Sequence, residues 1–182
     1  FLMICSGYYN YDKGYTPHIE GIGNFRGTLV HPQHWPKDLE IDNKKIVVIG
    51  SGATAMTIVP NVAQQASKVT MLQRSPTYVV ARPDQDAIAN FLRKWLPGKL
   101  AYSITRLKNT WLQSFMYKRM RAKPEEAKRN LIGMTKAALN KEFDVKKHFT
   151  PSYYPWDQRL CLLPNGDLYE SICLLYTSPS PR

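Results

Sequence analysis

The sequence predicts an α/β fold built on a parallel β-sheet, and two observations lead to this prediction. The run of Ile and Val at residues 45–49 has the composition of a strand that is buried on both faces of a parallel sheet. A helical segment at 53–65 and a second short apolar strand at 68–73 follow it. Strand, helix and strand in this order form a βαβ unit. With 182 residues and 43% hydrophobic content, the chain is also large enough to bury a core.

The residues before this unit predict a strand and a long loop. Residues 1–7 are an apolar run that ends in a Ser-Gly turn, and residues 8–23 are rich in Tyr, Gly and Pro, as loops are. Because the chain begins with Phe1 rather than Met, inside an apolar run of strand length, we expect a piece of a longer protein.

After the unit, the sequence Arg-Pro-Asp at 82–84 interrupts the pattern and leads into a helical region. Apolar residues recur at helical spacing over 86–139, and Pro97 and Gly98 separate two helices. Lys and Arg occupy the opposite faces, which predicts a helical insertion with a solvated basic face. The alternative is a basic amphipathic surface that makes peripheral contact with a membrane. From Asp144 onwards we expect an irregular return segment.

The last residues, 174–182, resemble the translation of a sequencing adapter, so residues 173–182 are left out of the predicted fold.

The composition excludes several classes of protein. The net charge is +11, but Lys and Arg concentrate in the helical region without a nucleic-acid motif, so no nucleic-acid partner is predicted. Neither a transmembrane run nor a signal peptide is present in the sequence, and we expect a cytoplasmic protein whose contact with a membrane stays open. The three cysteines are far apart and lack CxxC spacing, which predicts neither disulfides nor a metal site.

A glycine turn between the first strand and the helix predicts a dinucleotide site. Residues 50–55 fit G-x-G-x-x-A in the strand-to-helix context that makes this motif informative. The first glycine allows the tight turn, the second lets a pyrophosphate approach the helix N-terminus, and the alanine keeps helix and strand close. The predicted fold is therefore a Rossmann-type region, with a turn formed by Gly50, Ser51, Gly52, Ala53, Thr54 and Ala55.

The residue after the second strand predicts which dinucleotide binds. An NAD site places Asp or Glu there to accept a hydrogen bond from the ribose 2′-hydroxyl. This chain has Arg74 followed by Ser75, and a guanidinium can bind a 2′-phosphate through paired charge-assisted hydrogen bonds. NADPH is the predicted ligand.

The segment at 25–36 reads F-x-G-x-x-x-H-x-x-x-W-P, with Phe25, Gly27, His31, Trp35 and Pro36 at the defined positions. By spacing alone, His31 and Trp35 have no chemical rationale and would be structural. Followed by the glycine turn, however, the segment resembles the fingerprint of Baeyer–Villiger monooxygenases. The resemblance implies a fragment of a flavoprotein with two dinucleotide-binding domains that uses FAD, NADPH and O₂ to convert a ketone to an ester or lactone. It also implies that the fingerprint residues couple the FAD and NADPH domains.

Further segments, 5–15, 72–80 and 155–159, are most similar to the ethionamide monooxygenase branch. That branch implies a small hydrophobic ketone or a sulfur-containing substrate. The resemblance places Arg159 at the active-site arginine, which would hold a flavin C4a-peroxide deprotonated. The alternative is a structural arginine paired with Asp157. Gln158 stands where the family has a lysine at the 2′-phosphate, so more of the NADPH preference would rest on Arg74.

Two alternatives stay open beside the Baeyer–Villiger reaction: an N- or S-oxidising flavin monooxygenase, and a piece that only binds nucleotide. Because the family's FAD-binding glycine turn would precede Phe1, we expect this chain to be inactive alone. The predicted segments are the end of an FAD domain with the fingerprint (1–36), the NADPH-binding region (37–84), the helical insertion (85–143), the return segment with Arg159 (144–172) and the adapter-like tail (173–182).

Overall fold

A computed structural model describes residues 2, 3, 7 and 10–173 and the backbone of 177–179. Contacts divide the chain into two compact units, 1–40 and 41–182. The strand predicted at 1–7 lies largely outside the described residues.

The first unit is a loop region, as its Tyr, Gly and Pro content predicts. Its described residues contain two short 3₁₀ turns, Ile22–Asn24 and Pro32–His34. The second turn is hydrogen-bonded to the preceding loop at residues 10–12. The Gln33 side-chain amide donates to the carbonyl oxygens of Asn10 (3.0 Å) and Tyr11 (2.8 Å). The His34 ring Nε2 donates to the Asp12 carbonyl at 3.1 Å.

The second unit contains the predicted βαβ unit. Strand β1 (Lys45–Ile49) pairs in parallel with β2 (Lys68–Leu72), and helix α1 (Ala53–Ala63) connects them. The register aligns the last residues of the two strands, Ile49 with Leu72. The backbone of a third parallel strand, β5 (Thr177–Pro179), pairs with β2. This strand was not predicted, because the segment resembles an adapter translation.

A second, two-stranded parallel sheet was not predicted from the sequence. Strand β3 (Tyr78–Arg82) pairs with β4 (Leu160–Pro164), and the register places Tyr78 opposite Leu160. The two strands are far apart in the sequence, so no local pattern announces the pairing. Helix α6 (Asp167–Cys173) follows β4. The predicted irregular segment from Asp144 to residue 172 therefore contains a strand and a helix, together with the one-turn helix α5 (Val145–His148).

The helical insertion has three long helices rather than the two predicted. Helix α2 (Ala87–Trp95) begins after Asp86, whose carboxylate accepts from the Ala89 N–H at 3.0 Å. The break at Pro97 is confirmed, and helix α3 (Gly98–Ala122) follows it. The second break was missed: helix α4 (Pro124–Ala138) starts on a proline, which the first turn of a helix tolerates because the missing N–H has no intrahelical partner.

The core of the second unit lies among α1, the strands, α4 and α6. Val59, Val69 and Leu168 are fully buried there. Helices α2 and α3, in contrast, each bury one alanine, Ala89 and Ala101, and leave most of their large apolar side chains exposed. No helix in the described part of the chain is long and apolar enough to cross a bilayer.

Candidate nucleotide-binding site

The candidate site lies at the carboxyl ends of β1 and β2. Because the strands are parallel and end in register, the residues that follow each strand are neighbours. Gly50 leaves β1 with a φ of +145° and donates its N–H to the Leu72 carbonyl at 2.8 Å. This backbone conformation is strained for residues with a side chain, which explains the glycine.

In the described part of the chain, the first turn of α1 has backbone N–H groups without a hydrogen-bond partner. Gly52 is the N-cap and provides no side-chain cap, and Ala53 and Thr54 are exposed. Ala55 is buried, and its Cβ lies 3.8 Å from the place that a Cβ on Gly50 would occupy. A larger residue at position 55 would push the helix away from the strand. The turn therefore leaves a positive helix terminus exposed, which is the feature that the motif uses to bind an anion.

A hydrogen bond joins this turn to the segment that follows β2. The Ser51 hydroxyl is buried and donates to the Ser75 carbonyl at 3.4 Å. Ser75 thus has a backbone contact with the turn, while its own side chain is exposed.

Arg74 lies in the same segment and is exposed. Within the described residues, its guanidinium forms neither an ion pair nor a hydrogen bond. A guanidinium without a protein partner retains all its donors for a phosphate.

The structure brings Arg159 to the glycine turn. A Cβ built on Gly52 would stand 3.2 Å from Arg159 Nη1, so the guanidinium lies against the N-terminus of α1. Asp157, the acid that would mark Arg159 as structural, forms its ion pair with Arg121 instead. In the part of the chain that the structure describes, the Arg159 side chain is in no ion pair.

Two residues that were not singled out from the sequence hold the backbone of Arg159, and a third, Tyr78, holds one of these two. The Arg159 carbonyl oxygen accepts from Thr77 Oγ1 at 3.3 Å and from the Tyr153 hydroxyl at 2.9 Å. The Tyr78 hydroxyl in turn donates to the Tyr153 carbonyl at 2.6 Å. The β-branched residues at the start of β3 are the sequence signal that a strand begins here. Only the pairing of β3 with β4 places the start of this strand beside Arg159. Gln158, the predicted 2′-phosphate residue, is exposed.

The fingerprint residues belong to the first unit and have local structural roles. His31 caps the second 3₁₀ turn, with its Nδ1 accepting from the Gln33 N–H at 3.2 Å. Its ring lies directly on Gly14, where a Cβ would be 2.1 Å from the ring Cε1. The Phe25 ring covers Gly27 in the same way, at 2.5 Å. Trp35 ends the turn, and Pro36 follows it.

Among the described residues, no three His, Cys, Asp or Glu side chains come together where they could hold a metal ion.

A family model matches the glycine turn and the fingerprint together. The model described as flavin-binding monooxygenase-like covers residues 1–149. The chain belongs to this family. The prediction of a flavin monooxygenase fold from the fingerprint and the glycine turn is therefore confirmed.

Individual relatives support the same assignment. The chain is 53% identical over 173 residues to the FAD-containing monooxygenase EthA of Mycobacterium tuberculosis H37Rv, covering 94% of this chain and 35% of EthA. It is 46% identical over 171 residues to the probable FAD-binding monooxygenase AlmA of Acinetobacter baylyi, covering 93% of this chain and 34% of AlmA. The chain thus spans about a third of the length of these relatives.

Solved structures share the fold at lower identity. An oxidised steroid monooxygenase bound to NADP superposes with a TM-score of 0.67 at 17% identity, over 92% of this chain and 39% of that one. OTEMO in complex with FAD and NADP gives a TM-score of 0.66 at 18% identity, over 93% and 39% of the two chains. The predicted α/β fold of a flavoprotein fragment is confirmed.

The buried Tyr78, whose hydroxyl donates to the Tyr153 carbonyl, predicts how the stability of the chain depends on alkaline pH. Burial, assisted by the neighbouring Tyr153, raises the pKa of Tyr78 to about 12. In the unfolded chain the pKa is near 10, so the folded state holds this proton longer, and its stabilising effect is lost as pH rises from about 10 to about 12. The Tyr78→Phe variant lacks this contribution. We expect its free energy of unfolding to fall less steeply than that of the wild type across this window, with a difference of roughly 2 kcal/mol.

Urea denaturation at a series of pH values measures this difference. The exposed Tyr15→Phe variant is the control and should follow the wild-type curve. Tyr169, whose pKa burial also raises to about 12, contributes equally to all three proteins and cancels in the comparison. Parallel curves for Tyr78→Phe and the wild type would contradict the assigned pKa.

Proposed function

We propose that this chain is the NADPH-binding part of an FAD-dependent monooxygenase of the Baeyer–Villiger type. The observation that carries the proposal is the glycine turn at the carboxyl end of β1, with the guanidinium of Arg159 against Gly52. Arg74 follows β2 and has no ion-pair partner among the residues that the structure describes. This arrangement fits a dinucleotide whose pyrophosphate lies over the N-terminus of α1 and whose 2′-phosphate contacts Arg74. Family membership supports the flavin part of the proposal.

The described residues fit NADPH in charge and in shape. The orphan N–H groups at Ala53 and Thr54 are donors for the pyrophosphate. Gly52 has no side chain, which lets the Arg159 guanidinium bring a permanent positive charge to the turn. Ser75 and Gln158 are exposed polar side chains, which we assign to the 2′-phosphate together with Arg74. The sequence holds one G-x-G-x-x-A turn, at 50–55, so FAD would be bound by residues outside it.

The bound cofactors supply the redox chemistry: NADPH gives a hydride, and FAD activates O₂ for insertion next to a carbonyl. The role of this chain is to orient the nicotinamide dinucleotide and to place positive charge at the site. The Arg159 guanidinium stabilises negative charge that develops on oxygen during the reaction.

We assign a coupling role between the FAD and NADPH domains to the fingerprint. His31 caps the turn that precedes Trp35 and Pro36, and it fixes Gly14 of the preceding loop against its ring. Local order of this kind in the linking segment would let the position of one cofactor affect the other.

A comparison of NADP⁺ binding with NAD⁺ binding tests the nucleotide part of the proposal. We expect Arg74→Gln to weaken binding of NADP⁺ by about tenfold or more, because charge-assisted hydrogen bonds to the 2′-phosphate are lost. Binding of NAD⁺, which lacks this phosphate, should not change. Isothermal titration calorimetry on the 182-residue chain measures both constants, and Arg82→Gln, at the exposed end of β3, is the matched control. Equal weakening of both nucleotides by Arg74→Gln would refute the assignment.

The reaction type is tested with the full-length gene product. A Baeyer–Villiger enzyme converts a small hydrophobic ketone to an ester or lactone, whereas an enzyme limited to N- or S-oxidation converts a thioether to a sulfoxide and leaves the ketone unchanged. We expect ester from the ketone in the presence of NADPH, FAD and O₂, detected by gas chromatography. We expect the 182-residue chain alone, supplied with the same reagents, to form neither product. Ester formation by that chain would contradict the proposal that it is an inactive part.

We also propose that helices α2 and α3 contact an anionic membrane surface. Residues 87–122 include eight Lys or Arg residues and no Asp or Glu. Helix α3 exposes an apolar stripe at helical spacing, formed by Leu100, Ile104, Leu107, Trp111 and Phe115. Exposed aromatic and aliphatic side chains among cations fit a lipid interface better than a nucleic acid, which would need no apolar stripe.

Co-sedimentation with vesicles measures this contact. We expect the chain to bind phosphatidylglycerol vesicles at low salt, to bind phosphatidylcholine vesicles much less, and to be released at high salt. The double variant Trp111→Ser, Phe115→Ser should bind less, whereas Leu162→Ser, which removes an exposed apolar side chain on β4, should bind as the wild type does. Equal binding by both variants, or dimerisation through the stripe in light scattering, would speak for a different occupant.

A further inference from the structure

One bulky residue close to Arg159 has an unusual backbone conformation. Trp156 has a φ of +72°, a left-handed conformation that is rare for large side chains. Such a conformation is kept only where the surrounding contacts determine it, and it is concentrated at functional sites. Trp156 lies three residues before Arg159, and contacts with the helical insertion hold it in this conformation.

Helix α3 holds the loop at Trp156 and at the next residue. The Trp156 indole N–H donates to Met120 Sδ at 3.1 Å, and its ring packs edge-on against Tyr117 with centroids 5.6 Å apart. Asp157 accepts a hydrogen bond from Arg121 and forms an ion pair with it. All three partners lie in the last two turns of α3.

Helix α4 holds the start of the same loop. The Tyr154 hydroxyl donates to the Glu125 carboxylate at 2.7 Å. Lys128 donates to the Pro151 carbonyl at 2.7 Å, and its ammonium group lies 5.7 Å from the centre of the Tyr154 ring. The helical insertion therefore fixes the loop over residues 151–157.

At its other end the loop enters β4, where the Arg159 carbonyl is held by Thr77 and Tyr153. Only Gln158 and Arg159 lie between Asp157 and the first residue of β4, Leu160. The direction in which Arg159 leaves the loop is thus set between two anchored points. Its guanidinium reaches Gly52 from there.

We propose that the Arg121–Asp157 pair positions Arg159 over the glycine turn and thereby sets the affinity for the pyrophosphate of the nucleotide. Arg121 and Asp157 are positioning residues, since they act through Arg159 and do not touch the nucleotide. The inference rests on the nucleotide site proposed above. It gives the helical insertion a second role, as a support for the binding site.

The Arg121–Asp157 pair is exposed to solvent, and this allows a positioning role to be distinguished from a purely structural one. The Arg121 and Asp157 side chains are 47% and 40% exposed, and ion pairs in such surroundings contribute little to the free energy of unfolding. Removing the pair should therefore leave thermal stability almost unchanged, while it frees the loop that carries Arg159.

The experiment measures NADP⁺ affinity of the 182-residue chain by calorimetry. We expect Asp157→Asn and Arg121→Gln each to weaken NADP⁺ binding by about three- to tenfold. Binding of adenosine 2′-monophosphate, which has no pyrophosphate and contacts Arg74 and Ser75 as well as Gln158 of the loop, should weaken much less than that of NADP⁺. The charge-swapped double variant Arg121→Asp, Asp157→Arg should recover much of the lost affinity. Glu126→Gln is the matched control, because it removes the 2.9 Å pair between Arg119 and Glu126 on the same helices without touching the loop.

A double-mutant cycle and hydrogen exchange show whether the effect passes through Arg159. In an Arg159→Ala background, Asp157→Asn should cause no further loss of affinity. Amide hydrogen exchange over residues 152–160 should become faster in Asp157→Asn and stay as in the wild type in Glu126→Gln.

The outcomes that overturn the proposal differ from those that overturn the nucleotide site. If Arg159→Ala weakens NADP⁺ binding but Asp157→Asn does not, or if the two losses simply add, the positioning role is wrong and the site stands. If the wild-type chain does not bind NADP⁺, or binds it equally well after Arg159→Ala, the nucleotide site itself is wrong, and the positioning role falls with it.

Discussion

The parallel pairing of β1 with β2 is the constraint on which the rest of the site depends. The register ends both strands together, at Ile49 and Leu72, so the chain leaves the sheet twice at the same edge. The Gly50 N–H bonds to the Leu72 carbonyl, and the Ser51 hydroxyl bonds to the Ser75 carbonyl. A shift of the register would separate the glycine turn from Arg74, so that the two could no longer contact the one nucleotide proposed above.

The second sheet brings Arg159, which is remote in the sequence, to the glycine turn. Strand β3 begins shortly after Arg74, and its partner β4 begins directly after Arg159. The pairing of Tyr78 with Leu160 thus delivers Arg159 to the glycine turn. The helical insertion occupies the chain between these strands, and its last two long helices contact the loop in front of Arg159. Insertion and site are physically connected.

Among the described residues, the cations of the helical insertion form ion pairs, whereas Arg74 and Arg159 do not. Each of the ion pairs among the described residues joins a cation of the insertion to Asp86, Glu126 or Asp157. The hydrogen bond from Lys108 lowers the pKa of the Asp86 carboxylate to about 2. Arg74 and Arg159 have no carboxylate partner in the same set. Their charge is available to an anionic ligand, which suits a phosphate-binding edge.

The local pattern of the sequence determined the βαβ unit, the glycine turn, Arg74 and the break at Pro97, because strand composition, helical spacing and turn residues act over a few neighbouring positions. It did not determine the β3–β4 pair, the break before Pro124 or the partner of Asp157. The predicted alternative partner was Arg159, two residues away, whereas Asp157 pairs with Arg121, 36 residues away. Tertiary structure decided this, because pairing of distant strands and packing of a loop on helices depend on which surfaces meet, and no spacing in the chain records that.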